Sequence, residues 1–175
     1  MLPFITTLAF LAVSASPDYQ KLADDAKWEW KADKATAEYS AKNLPKDYKA
    51  EVTEDTMRGY AASVRFTKEG KYLYTLDGHP ATVFVVKDGI LYYADYIRGT
   101  HECSLIARDL ANGKQLWKAP LKGLGPISHF RYRNAVSLEF VEGALRVLSH
   151  ESSGDYIEFV EMKEGKTVGN KVFKR

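Results

Sequence analysis

One cysteine, Cys103, stands in the whole chain, so no disulfide can form within it. A single thiol inside a stretch of strand character, CSLIA, reads as a small buried hydrophobe. Runs long enough to span a bilayer, about 20 apolar residues, are missing too, which argues against a membrane-spanning helix. Charge of one sign is scarce: 25 Lys and Arg face 23 Asp and Glu, a net +2. So small a balance points to no nucleic-acid surface and no funnel for acidic substrates. Catalytic signatures are absent as well, with no G-x-S-x-G, no H-E-x-x-H and no Cys/His spacing suited to zinc. Gly123-Leu124-Gly125-Pro126 is not a phosphate loop, because Pro126 removes a donor and no strand-to-helix context follows.

No Lys or Arg precedes the first apolar stretch, MLPFITTLAFLAVSAS, yet its end has the form a signal peptidase accepts. Leu8 to Val13 makes the apolar centre, and Val13-Ser14-Ala15 supplies the small residues. The expectation is a signal peptide over 1–15, cleaved after Ala15, and an exported chain, periplasmic or secreted. What remains is one ordinary domain, large enough to bury a core.

Aromatic residues are what the chain has in plenty: 13%, including eleven tyrosines. Such residues fit half-buried pleated surfaces, and the pattern from Gly59 onward is strand, tight turn, strand. Lys87-Asp88-Gly89 and Ala111-Asn112-Gly113 read as hairpin turns, since Gly, Asn and Asp tolerate positive φ. TVFVVKDGILYYADY and CSLIARDLANGKQLWK then give four consecutive antiparallel strands. Before Gly59 the reading is a short helix over Pro17–Lys27, with Ser16 as N-cap and Pro17 at its first position. A hairpin about Asp33-Lys34 and an exposed connection over Asn43–Arg58 follow. The division is 16–58 for the N-terminal helix, hairpin and connection, and 59–175 for a β-repeat domain.

Three turns share the form x-x-Gly-Lys, at Gly70-Lys71, Gly113-Lys114 and Gly165-Lys166, 43 and 52 residues apart. Each precedes a strand with aromatics: Tyr72 and Tyr74, then Trp117, then Phe173. A period of roughly 45–50 residues with four short strands per unit is a propeller-like spacing. Asp88-Gly89-Ile90-Leu91-Tyr92, Leu105 to Leu110 and Asn112-Gly113-Lys114-Gln115-Leu116-Trp117 together resemble the blade repeat of PQQ-type (quinoprotein-like) β-propellers. In that family a D-G-x-L-Y hairpin precedes A-x-D-x-x-T-G-x-x-x-W. The match covers one blade well, Val136–Phe173 loosely and Gly59–Tyr74 less so. The chain as a whole is similar to small exported bacterial proteins with such repeats. Asn112 stands where the family has Thr, and Gly169-Asn170 falls where a Trp belongs.

At most three units fit this length, whereas a closed propeller takes four or more. Quinone binding in that family needs the full ring, so no cofactor is implied. The expected fold is all-β: an antiparallel meander of about ten strands in two to three four-stranded blade-like repeats. A partial propeller, a curved barrel and a sandwich all satisfy this, and a homodimer could complete a ring. A closed or strongly curved single sheet is the favoured form. An open sheet whose edge the N-terminal segment covers is another solution.

His101-Glu102 and His150-Glu151 read as hairpin polar residues rather than metal ligands, and no catalytic residue is assigned. The most informative polar stretch is Lys114–Asn134, which holds Lys114, Lys118, Lys122, Arg131 and Arg133 with no acid. As a strand, His129–Arg133 puts His129, Arg131 and Arg133 on one face and Phe130 and Tyr132 on the other. The candidate ligand-binding set is Lys118, Lys122, His129, Arg131 and Arg133, with arginine forks suited to carboxylate, sulfate or phosphate. The functional expectation is a non-enzymatic module binding a protein or an anionic, glycan-like ligand. The alternative is a lipocalin-like small-molecule carrier with an apolar interior. A hydrolase ranks below both.

Overall fold

In the computed structural model of the chain, residues 16–28, 40–55, 60–77, 80–96, 103–122, 136–151 and 154–173 are described. They form a helix, α1 (Tyr19–Asp25), and twelve strands. These are β1 (Ser40–Lys42), β2 (Tyr48–Asp55), β3 (Tyr60–Lys68), β4 (Lys71–Asp77), β5 (Pro80–Lys87) and β6 (Ile90–Tyr96), then β7 (Cys103–Asp109), β8 (Gln115–Leu121), β9 (Val136–Val141), β10 (Ala144–Glu151), β11 (Gly154–Glu161) and β12 (Thr167–Phe173). Three open sheets result. β2-β3-β4, β5-β6-β7-β8 and β9-β10-β11-β12 are antiparallel meanders in chain order, and β1 adds to the second sheet beside β5.

The reversals follow from local chemistry. Lys68 pairs with Lys71 and Lys87 with Ile90, leaving two-residue loops, Glu69-Gly70 and Asp88-Gly89. All four residues have positive φ, from 49 to 76°, the I′ geometry that matches strand twist. The two longer turns agree bond for bond. Asp109 accepts from the backbone N–H of Ala111 and Asn112 at 2.8 and 3.2 Å, and Gly113 N–H donates to its carbonyl at 2.8 Å. Glu161 likewise accepts from Lys163 and Glu164 at 2.8 and 2.7 Å, with Gly165 N–H on its carbonyl at 3.0 Å. One acidic side chain thus organises the same loop in two successive sheets.

Packing is face to face. Strand alternation sends Val85, Tyr92, Leu105 and Leu121 of the middle sheet against Leu138, Leu145, Val147 and Val160 of the third. The opposite faces of β5, β6 and β7 carry Phe84, Leu91, Tyr93 and Ile106 onto Val64, Phe66 and Leu76 of the first sheet. On the far side of the third sheet, Tyr19 and Ala23 of α1 meet Ala144, Ile157 and Phe159. The layer order is therefore first sheet, middle sheet, third sheet, helix. Each fully buried Leu, Val, Ile or Phe contributes roughly 1.5–3 kcal/mol, so these three apolar gaps dominate cohesion.

Several expectations change. The favoured closed or strongly curved single sheet is replaced by three open sheets. The cause is the middle sheet, whose strands β5, β6 and β7 are apolar on both faces and so need a partner layer on each side. Asn43–Arg58 is not wholly a connection, since β2 pairs with β3 along it. The helix is capped by Asp18, whose carboxylate accepts from Lys21 N–H at 3.0 Å, rather than by Ser16. β1 runs parallel to β5, with Ser40 opposite Val83, so the N-terminal segment covers that edge. The hairpin about Asp33-Lys34 and the strand over His129–Arg133 lie outside the described residues.

Candidate functional site

β8 is an edge strand of the middle sheet. Trp117, Ala119 and Leu121 turn inward to the third sheet, while Lys118, Pro120 and Lys122 are exposed. Lys118 lies in β8 and Lys122 one residue past its end, so at about 3.3 Å per residue their Cα atoms are at most ~13 Å apart. The pair suits an anion with charges at intervals.

Beside Lys122 sits a buried acid. Glu158 of β11 is 1% exposed, and its Oε1 accepts from the Lys122 backbone N–H at 3.1 Å. Strand alternation explains the burial, because Glu158 lies between Ile157 and Phe159 and faces the middle sheet rather than α1. This contact fixes the chain where β8 ends. Of the five residues read as ligand-binding, Lys118 and Lys122 are thus placed on one exposed edge; His129, Arg131 and Arg133 lie outside the described residues.

Cys103, paired with Leu121, and Ser149, paired with Val136 and Tyr156, occupy the same end of the gap between the middle and third sheets. Cys103 is buried as expected. Ser149 is fully buried, and its Oγ has no hydrogen-bond partner among the described residues. A serine nucleophile needs a base in contact, and none of the described groups supplies one there. Among the described residues no three His, Cys, Asp or Glu side chains converge as metal ligands, and no helix is long and apolar enough to cross a membrane.

A second polar cluster lies between the first and middle sheets. Arg108 Nε donates to Tyr93 Oη at 2.9 Å, and its Nη1 donates to the Gly113 carbonyl at 2.8 Å. Tyr74, stacked on Phe66 with ring centroids 5.0 Å apart, buries a hydroxyl without a partner among the described residues. Burial raises the pKa of Tyr74, the neighbouring Tyr93 adding to the effect. Tyr93 is raised by burial against the opposing pull of the Arg108 hydrogen bond. On the opposite face of β6, burial pushes Tyr92 up to about 12, Asp88 and Glu161 adding to it. The cluster stitches the Gly113 turn to the layer gap. Sequence reasoning missed it, although period-two alternation already places Arg108 on the same face as Ile106.

The aromatics that would line a barrel interior instead fill the gaps between sheets. Phe66, Phe84 and Tyr92 are all essentially inaccessible. Compared with known proteins, the chain matches no family model and no curated protein sequence.

Proposed function

We propose that the chain is an exported, non-enzymatic module of quinoprotein-like repeat units that binds an extended anionic partner, a glycan or an acidic protein segment. Lys118 and Lys122 begin the contact, and His129, Arg131 and Arg133 continue it. The observation that supports the reading is the exposure of two lysines, Lys118 on the edge strand β8 and Lys122 just past its end. The repeat assignment is supported by the matching turns at Asp109–Gly113 and Glu161–Gly165. Lysines act as point charges in such a role, while arginine adds bidentate grip.

Calorimetric titration with heparin, polygalacturonate and orthophosphate tests this. The polymers bind and orthophosphate does not, and affinity falls steeply with added salt. Lys118→Glu/Lys122→Glu and Arg131→Ala/Arg133→Ala each weaken binding of the polymers with the thermal midpoint nearly unchanged. Equal affinity for orthophosphate, or binding lost only together with folding, contradicts the reading.

A further inference from the structure

The first sheet holds three meander strands where the other two sheets hold four. The unfilled place adjoins β2, and among the described residues nothing pairs with the outer edge of that strand. Two of the other edges are blunted. β8 carries Pro120, which donates no hydrogen bond. On β12, the Gln20 side chain donates to the Asn170 carbonyl at 3.0 Å and accepts from its N–H at 3.2 Å, taking the place of a strand residue. β2, by contrast, is regular from Tyr48 to Thr53.

The backbone parity of β2 is fixed by two bonds. Glu69 N–H donates to the Asp47 carbonyl at 2.8 Å, and Tyr48 N–H turns away to the Pro45 carbonyl at 2.9 Å. Antiparallel ladders alternate, so Ala50 and Val52 aim both backbone groups at the open edge, and Tyr48 aims its carbonyl there. The side chains divide by face. Tyr48, Ala50 and Val52 pack toward the middle sheet, while Lys49, Glu51 and Thr53 are exposed on the outside.

We infer that β2 pairs antiparallel with β2 of a second copy of this chain about a two-fold axis at Ala50, joining the two first sheets into one six-stranded sheet. In that register Ala50 faces Ala50, Tyr48 faces Val52, and Lys49 faces Glu51 in both directions. The neighbouring registers are worse. A shift of one residue mates outward groups with inward ones and breaks the ladder. A shift of two places Glu51 against Glu51 or Lys49 against Lys49, and like charges directly opposite are destabilising. The segment is self-complementary in one register, which is what an isologous contact requires. Edge pairing buries little area, so the dimer is concentration-dependent rather than obligate.

Sedimentation velocity over a concentration series, together with cysteine cross-linking, tests the pairing. The wild-type mass rises toward twice that of the monomer with concentration. Ala50→Cys gives a disulfide-linked dimer under mild oxidation, since opposed Cα atoms lie about 5.5 Å apart in such a pair. Thr53→Cys, more exposed but about 20 Å from its copy along the strands, does not. Glu51→Lys weakens association about tenfold by setting two like-charged pairs opposite each other, and Lys49→Glu/Glu51→Lys restores it. A monomer at every concentration, equal cross-linking of both cysteine variants, or an unaffected Glu51→Lys protein overturns the inference. Should Ala50→Cys fail to fold, the two charge variants decide alone, because both positions are exposed. Ligand binding at Lys118 and Lys122 is measured separately and stands or falls by itself.

Discussion

Trp117 lies across Gly165. Its indole Nε1 donates to the Met162 carbonyl at 2.8 Å, and a Cβ built on Gly165 would come within 2.6 Å of the ring. The same relation holds one sheet earlier, where a Cβ on Gly113 would meet the Tyr74 ring at 2.6 Å. Tyr74 stands four residues after Gly70, and Trp117 four after Gly113. An aromatic launched from one glycine turn therefore docks on the glycine turn of the next sheet. The series stops at Gly169, four after Gly165, where the backbone of Tyr19 occupies the space an aromatic side chain would need, 2.5 Å from a Cβ there. At the other end the exposed face of the first sheet is polar, carrying Lys49, Glu51, Thr53 and Arg65. A stack of repeats needs such atypical ends to be soluble.

The glycines should therefore differ in sensitivity. Gly70 has nothing within 4 Å of a Cβ, so Gly70→Ala costs only its positive φ, about 1–2 kcal/mol. Gly113→Ala and Gly165→Ala add a collision with an aromatic ring, roughly a further 1–3 kcal/mol. Urea denaturation of the three variants checks the order.

Trp117→Phe keeps most of the ring and deletes the donor to Met162. The expected loss is about 1–2 kcal/mol, the penalty for leaving a partly buried carbonyl unmatched. Trp117→Ala opens the gap beside Tyr92, whose ring centroid lies 5.8 Å away, and costs roughly 3–5 kcal/mol. Thermal unfolding of both variants separates the bond from the packing.

The cap formed by α1 is anchored by contacts spread over its length. Tyr19 Oη donates to the Glu142 carbonyl, and Lys171 Nζ donates to the carbonyls of Asp24 and Ala26 at 2.7 and 2.9 Å. Tyr19→Ala should uncover Ile157 and Phe159 and raise binding of a hydrophobic fluorescent dye. Tyr19→Phe should lose only about 1 kcal/mol, without new dye binding.

Alkaline pH should weaken the fold before any single bond is cut. Tyr74, Tyr92 and Tyr93 all have raised pKa values, with burial as the leading cause. A raised folded pKa means the unfolded chain releases its proton first, near the ordinary tyrosine value of about 10. The stabilisation is complete below pH 10 and is lost as pH climbs from about 10 to 12 for Tyr92 and beyond for Tyr74. The thermal midpoint should fall across that window. Ultraviolet titration should show these phenols ionising together with unfolding rather than before it.

Much of this was legible in the residues. Gly70, Gly89, Gly113, Gly143 and Gly165 all adopt positive φ, as the turn chemistry requires, and the strands between them follow the sequence pattern. β2 was missed although Tyr48, Ala50 and Val52 alternate with polar residues, because Pro45 and the charged side chains argued for a loop. The layered form was also signalled. Cys103-Ser104-Leu105-Ile106-Ala107 is buried at every position, a run that suits a strand covered on both faces and not the wall of a barrel. No local pattern could announce β1, whose parallel partner lies some forty residues away. Nor could the Arg108–Tyr93 contact be read from spacing alone, since it depends on the register in which β6 pairs with β7. For the candidate site, the sequence named the basic residues, but that Lys118 stands on an edge strand with Lys122 just past its end follows only from the sheet order.

The docking of one sheet's aromatic on the next sheet's glycine is most directly tested by nuclear Overhauser contacts in the folded protein. Cross-peaks between the Trp117 indole protons and the Gly165 α-protons, with those protons moved upfield by the ring current, are the predicted result. The Tyr74 ring and Gly113 should show the same pattern. Gly113 and Gly165 α-protons at ordinary shifts, without contact to either aromatic, would contradict the stacked arrangement.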